Sequence, residues 1–176
     1  MTWTIIVLAV LVVVLWSFYV SWRASRLDRL HNRTEAARTA LDLALVRRAS
    51  AASDLASSGQ LDPATSLLLA DAVRRARQAE VAERDLAESD LTRALRATLG
   101  ALGDSDGDDE SADAAELLDE VAKAAQQVFI ARKFYNDVAG RTIDARRRPL
   151  ARVLHLSGSA RQPEFFDMDD ELTNGD

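Results

Sequence analysis

Cysteine is absent from the 176 residues. With it go disulfides, thiolate metal sites and cysteine nucleophiles, a lack compatible with a reducing compartment. The two histidines, His31 and His155, stand far apart in the chain. Each therefore reads as a lone surface side chain, and neither a metal nor a cofactor is expected. Three prolines and seven glycines leave little punctuation for a series of short strands. Charge of one sign is missing too: 22 basic and 28 acidic residues are mixed along the chain, for a net −6. A nucleic-acid binder needs a net basic face, so no nucleic-acid partner is expected.

The signatures of common enzymes are lacking as well. There is no P-loop, no dinucleotide fingerprint and no HExxH. Ser159, in Gly158-Ser159-Ala160, lacks the full nucleophile-elbow pattern. Neither histidine has a glutamate three residues before it, as metal sites in helical bundles use. A chain without catalytic residues is the expectation.

What is present begins with a long hydrophobic run. Residues 3–22 are apolar apart from Thr4, Ser17 and Ser21. At about 1.5 Å per residue they make a helix of roughly 30 Å, the thickness of a bilayer core. Trp3 marks one end and Trp16, Tyr19 and Trp22 the other, where amphipathic rings favour the interface. A cleaved signal peptide is the rival reading. It would want basic residues before the run, where only Met1 and Thr2 stand, and small residues at its end, where Phe18, Tyr19, Trp22 and Arg23 crowd. An uncleaved anchor is expected. Arg23, Arg26, Arg29 and Arg33 follow it, so the positive-inside rule puts the N-terminus outside and the remainder in the cytoplasm, on the inner face of a plasma membrane.

The soluble part reads as three long helices. The first covers about 23–57, with a stripe of Leu27, Leu30, Thr34, Ala37, Leu41, Ala44, Leu45, Ala52 and Leu55 at three- and four-residue steps. Ser58-Gly59 ends it, glycine being able to take the left-handed closing conformation. Asp62-Pro63 opens the second, an N-cap followed by a proline in the first turn. Its stripe is Leu68, Ala72, Ala76, Ala79, Ala82 and Leu86, continued slightly rotated by Leu91 and Leu95, until Gly100 and Gly103. The third runs from about 112, capped by Ser111, to Pro149, with Leu117, Leu118, Val121, Ala125, Val128, Tyr135 and Val138 inward. Arg146, Arg147 and Arg148 sit at its C-terminus, where the helix dipole favours cations. Short connections between long helices imply antiparallel neighbours. The fold expected is thus all-α, one N-terminal transmembrane helix followed by an antiparallel up-down-up bundle. Residues 1–22 form the anchor, 23–156 the bundle and 157–176 an acidic, partly ordered tail. The alanine-rich stripes bury less area than leucine would, a deficit that a homo-oligomer would offset.

Between the second and third helices lies an acidic loop, residues 104–110. Counted from Asp104, a calcium loop would need glycine at 109 and glutamate at 115, and the chain has Asp109 and Ala115. A solvated connection is the better reading. In the tail, Phe165 and Phe166 are costly to leave wet, which favours docking on the bundle over a partner contact.

Several segments match one pattern in order. They are Arg29-Leu30-His31-Asn32-Arg33, then Leu41-Asp42-Leu43-Ala44-Leu45-Val46-Arg47-Arg48, then Ile130-Ala131-Arg132-Lys133-Phe134-Tyr135-Asn136-Asp137-Val138. Pro149 and Glu164-Phe165-Phe166-Asp167 complete the series. The layout resembles the LemA family of bacterial membrane proteins, whose "IDVQLKRR", "ARxxYN" and terminal "FF(E/D)" segments these echo. The chain departs from it at 52–56, at Thr142-Ile143 in place of a second "YN", and at Arg148 in place of an aromatic. The resemblance implies an outside N-terminus, a cytoplasmic helical bundle and no established enzymatic activity.

The functional expectation is a non-catalytic interaction or scaffold module on the membrane, with the bilayer and an unidentified protein as partners. Its candidate surface is Asp42, Arg47, Arg48, Tyr135 and Asn136, which are otherwise explained by interhelical hydrogen bonds and ion pairs. The alternative is a lipid-binding or membrane-sensing element, in which the four post-span arginines attract anionic headgroups at about 1 kcal/mol each.

Overall fold

A computed structural model describes residues 2–103, 112–147, 163–170 and 172, without the side chains at 20, 23–28, 103 and 112. The acidic loop at 104–110, the Ser111 cap, Arg148, Pro149, the stretch 150–156, His155 and Ser159 lie outside the described residues, as do the side chains of Arg23, Arg26 and Leu27. Among the described residues there are four helices and no strand: α1 (Thr2–Ser57), α2 (Pro63–Gln78), α3 (Arg84–Gly103) and α4 (Ala112–Arg147).

No proline or glycine occurs before Gly59, so nothing interrupts α1 over its 56 residues. It closes as its sequence predicts. Gly59 takes φ +79°, and the Ser58 hydroxyl donates to the Leu55 carbonyl at 2.8 Å. The start of α2 is equally local. Asp62 Oδ1 accepts from the amides of Ala64 at 3.0 Å and Thr65 at 3.1 Å, with Pro63 in the first turn. Hydrogen bonds from Thr65, aided by the Ala64 amide, hold the Asp62 carboxyl below the usual carboxylate range.

The expected second helix is instead two, which corrects the count of three. The chain leaves the helix at Ala79, turns with a 3.0 Å bond from the Glu83 amide to the Glu80 carbonyl, and re-enters at Arg84. No glycine or proline marks this break. Its cause is tertiary: folding back lets Leu69, Val73 and Ala76 of α2 share one core with Leu91 and Leu95 of α3. A straight helix would have carried the two sets on rotated faces. The expected stripe is corrected accordingly, because Leu68 and Leu86 are exposed while Leu69 and Val73 are buried.

The chain divides into two compact units, Met1–Ala36 with Asp137–Phe165, and Ala37–Asn136 with Phe166–Asp176. In the second unit, all four helices contribute to the core. Ala52 and Leu55 of α1 meet Leu69 and Ala72 of α2, Leu91 and Leu95 of α3, and Val121 of α4. Cross-bonds fix the directions. Asp42 pairs with Arg84 and Arg48 with Glu88, so α1 and α3 ascend together. Residues 166–170 run parallel to α3 and antiparallel to α4, so α4 descends. The order is therefore up-down-up-down, and the last helix runs opposite to the direction expected.

In the first unit, α1 carries a window at Thr2–Tyr19 with mean hydropathy 2.3 and none of it buried. By length and composition this segment is long and apolar enough to cross a membrane, and a signal sequence would meet the same requirement. Further along, the Thr34 and Thr142 hydroxyls lie 2.9 Å apart, and each also reaches the carbonyl four residues back. Two hydroxyl protons thus serve three contacts. Thr142, where the family-like pattern is broken, is in this way a satisfied buried residue.

Candidate functional site

Two polar arrangements in the second unit stand out from an otherwise alanine- and leucine-lined interior. The first centres on Arg48. Its position continues the α1 stripe between Leu45 and Ala52, so the helix delivers a cation to the core, where it is wholly buried. Nη1 donates to the Thr92 hydroxyl at 2.8 Å, and Nη2 donates to Glu88 Oε2 at 2.7 Å and to the Glu88 carbonyl at 3.1 Å. Nε finds no partner among the described residues. Burial pushes the Glu88 carboxyl above its usual range, opposed by the Arg48 guanidinium beside it. Arg48, Glu88 and Thr92 are all buried, and the chemistry of the cluster is that of an internal tie.

The second arrangement is a groove between α3 and α4 filled by residues 166–170, which have no regular secondary structure. Side chains of the two helices read this strap's backbone. Asn136 accepts from the Phe166 amide at 2.9 Å and donates to the Phe166 carbonyl at 3.0 Å. On the other wall, Asp85 accepts from the Asp167 amide and Ser89 Oγ from the Asp169 amide, both at 3.0 Å. The strap's own side chains are held by charge. Arg132 binds Asp170 in a two-point pair at 2.5 and 2.9 Å, and Arg96 reaches both oxygens of Asp169 at 3.0 Å. Met168 is the apolar anchor, 5% exposed beside Asp170 at 7%.

The expected surface residues separate on this geometry. Arg48 and Tyr135 are interior, at 0% and 2% exposure, and belong to no surface. Asp42 forms a half-exposed ion pair with Arg84 at 3.2 Å. Arg47 is exposed, and Asn136 is the strap's clamp. Docking of the two phenylalanines takes a divided form. Phe166 is half-buried, whereas Phe165 is exposed, its ring edge 3.7 Å from where a Cβ on Gly140 would stand. In the first unit that ring, Pro163 and Arg147 line an open groove of about 450 Å³. Trp3, Trp16, Tyr19 and Trp22 all present their rings outward from α1, and Arg29 and Arg33 are exposed beyond them.

Glu88, Thr92 and the strap's receptors Arg96, Arg132, Ser89 and Asp85 were not expected from the sequence. A signal exists for the first: Glu88 falls one turn before Leu91 and Thr92 on an inward face, as Arg48 does on α1. Opposite charges that both occupy core positions find each other. The strap had a weaker one, acidic Asp169 and Asp170 after a methionine.

No group of three or more histidine, aspartate or glutamate side chains converges to hold a metal among the described residues. The chain matches no family model and no curated protein.

Proposed function

We propose that this chain is a non-catalytic, membrane-tethered helical interaction module resembling the LemA proteins. Its span acts as a single-pass anchor of the inner membrane, and the helical domain faces the cytoplasm. The observation that carries the reading is the state of α1. Its first eighteen residues expose Ile, Leu, Val and Trp side chains with none buried, and such a surface is stable only in an apolar solvent. Because the same helix runs on into the core of the second unit, whatever binds the domain is held at the bilayer, where confinement raises effective concentration. Arg29 and Arg33, both exposed, support the cytoplasmic orientation through the positive-inside bias. They support the lipid-sensing alternative equally, which salt-sensitive binding of the domain to anionic vesicles would favour.

The test is proximity crosslinking of the full-length protein in its own membrane, read by mass spectrometry, beside an Arg47→Ala variant. A stoichiometric partner, or a second copy of the chain, is the expected product. Recovery of neither contradicts an interaction module.

A further inference from the structure

Resting on the anchor reading of α1 given above, we infer that Arg147, at the end of α4, joins Arg29 and Arg33 in a basic face that binds the anionic phosphate headgroups of the bilayer. The arginines of α1 follow the apolar run directly and are explained by its topology. Arg147 is far from that run in sequence, and only the fold brings it near. In the first unit the Thr34 hydroxyl of α1 meets that of Thr142 on α4 at 2.9 Å. Because α4 runs against α1, the approach to the span and the last turn of α4 lead the same way from that contact. Arg29 lies five residues before Thr34 and Arg147 five residues after Thr142. Both are thus about 7.5 Å beyond the contact, at one level. Trp22, at the end of the apolar run, is seven residues before Arg29, or about 10 Å. The headgroup layer takes up about 5–7 Å of that distance, and the Debye length at physiological salt is about 8 Å. The guanidiniums at this level stand within one screening length of the phosphates.

The charges here are also open to such a partner. Elsewhere on the surface, arginines pair with carboxylates of their own helix: Arg74 and Arg75 with Asp71, Arg93 with Asp90, and Arg141 with Asp137. Arg29 and Arg33 have no carboxylate three or four residues away. They are instead four residues from each other, a spacing at which like charges repel. Arg147 has Asp144 three residues before it, both exposed, yet among the described residues Arg29, Arg33 and Arg147 form no ion pair. The helix dipole favours a cation at any helix C-terminus, and the fold turns this one towards the span. Guanidinium groups bind phosphate oxygens through paired N–H donors, so a headgroup layer supplies the counter-charge that the two helices lack at this end.

The test uses the full-length protein in nanodiscs of equal parts phosphatidylglycerol and phosphatidylcholine. After gentle release, native mass spectrometry reads the lipids it retains. Phosphatidylglycerol is expected to be retained over phosphatidylcholine, by a preference that falls as salt is raised. Arg147→Gln is expected to lower the preference about fivefold, the equivalent of one arginine near an anionic surface, and Arg147→Lys to keep most of it. Arg147 is exposed, so neither replacement disturbs the core. Arg141→Gln removes the same charge from α4 six residues further from the span and is expected to leave the preference unchanged. Equal losses in Arg141→Gln and Arg147→Gln reveal a response to net charge alone and overturn the inference. So does a preference that Arg147→Gln leaves intact, or none in the wild type. Those outcomes leave the anchor standing, since the protein is still held in the disc. Protein that never enters the discs contradicts the anchor itself, and the headgroup face with it.

Discussion

Arg48 is the largest side chain fully buried among the described residues, and a buried guanidinium is tolerable only with its charge answered. Glu88 answers it at 2.7 Å, and Thr92 takes a second bond. Removing one partner strands the other charge, which typically costs about 3–5 kcal/mol, whereas replacing both with apolar side chains is often close to neutral. Arg48→Met is therefore expected to destabilise by about that amount, and Arg48→Met with Glu88→Leu by much less. Urea unfolding followed by circular dichroism in detergent, run as a double-mutant cycle, reads the difference. The pair also carries a pH signature. Folding raises the Glu88 pKa, so the folded state takes up its proton first. The stability this group contributes is present below the unfolded value of about 4.3 and is lost as pH rises through the folded one. Relative to Glu88→Gln, the wild type should gain stability as pH is lowered from 7 towards 4.5. A difference that is flat or shrinks over that window contradicts the assignment. At this scale the sequence was legible where a side chain acts on its own helix, as at Asp62 and Gly59, and illegible where it acts across helices. Arg48 was singled out, but its partner sits forty residues away, and only the phase of Glu88 on α3 hinted at it.

The elements obey local chemistry at their ends and tertiary packing in their middles. Gly59 has nothing within 4 Å of a Cβ placed on it, so the penalty for a side chain there comes from φ +79° alone. Gly59→Ala should lower stability by about 1 kcal/mol, and Gly59→Asn by less, asparagine tolerating the left-handed region. Thermal unfolding of the three proteins checks the order. The break between α2 and α3 shows the opposite control. Ala79, Glu80, Ala82 and Glu83 are competent helix formers, and local propensity favours continuing. The core overrides it, since Leu91 and Leu95 can join Leu69 and Val73 only if the chain reverses. The trace left in the sequence was the rotation of the apolar stripe after Leu86. Leu91→Ala, which empties a site at 0% exposure, should destabilise by about 2–5 kcal/mol. Leu86→Ala, at 64% exposure, should change stability little, and equal losses from the two would contradict the hairpin.

For the molecule as a whole, one continuous helix links a membrane-length apolar segment to a domain core, and a C-terminal strap is captured between two other helices. The all-α character and the apolar segment were legible in the sequence because both depend on periodicity and composition. The strap's groove was not, because it assembles from α3, α4 and residues far along the chain. Asn136 and Phe166, quoted in separate family-like segments, meet there at 2.9 Å. In the function proposed for this chain, the apolar segment stays attached and anchors a cytoplasmic domain. The absence of cysteine makes it directly testable, since Ser50→Cys, at an exposed position on α1, supplies a unique thiol. The decisive measurement is labelling of that thiol with a membrane-impermeant maleimide in intact and permeabilised cells, with the intact mass of the membrane-extracted protein. An attached anchor with a cytoplasmic domain predicts labelling only after permeabilisation, on a chain that retains residues 3–22. Labelling in intact cells, or a mature chain that begins beyond the span, contradicts it.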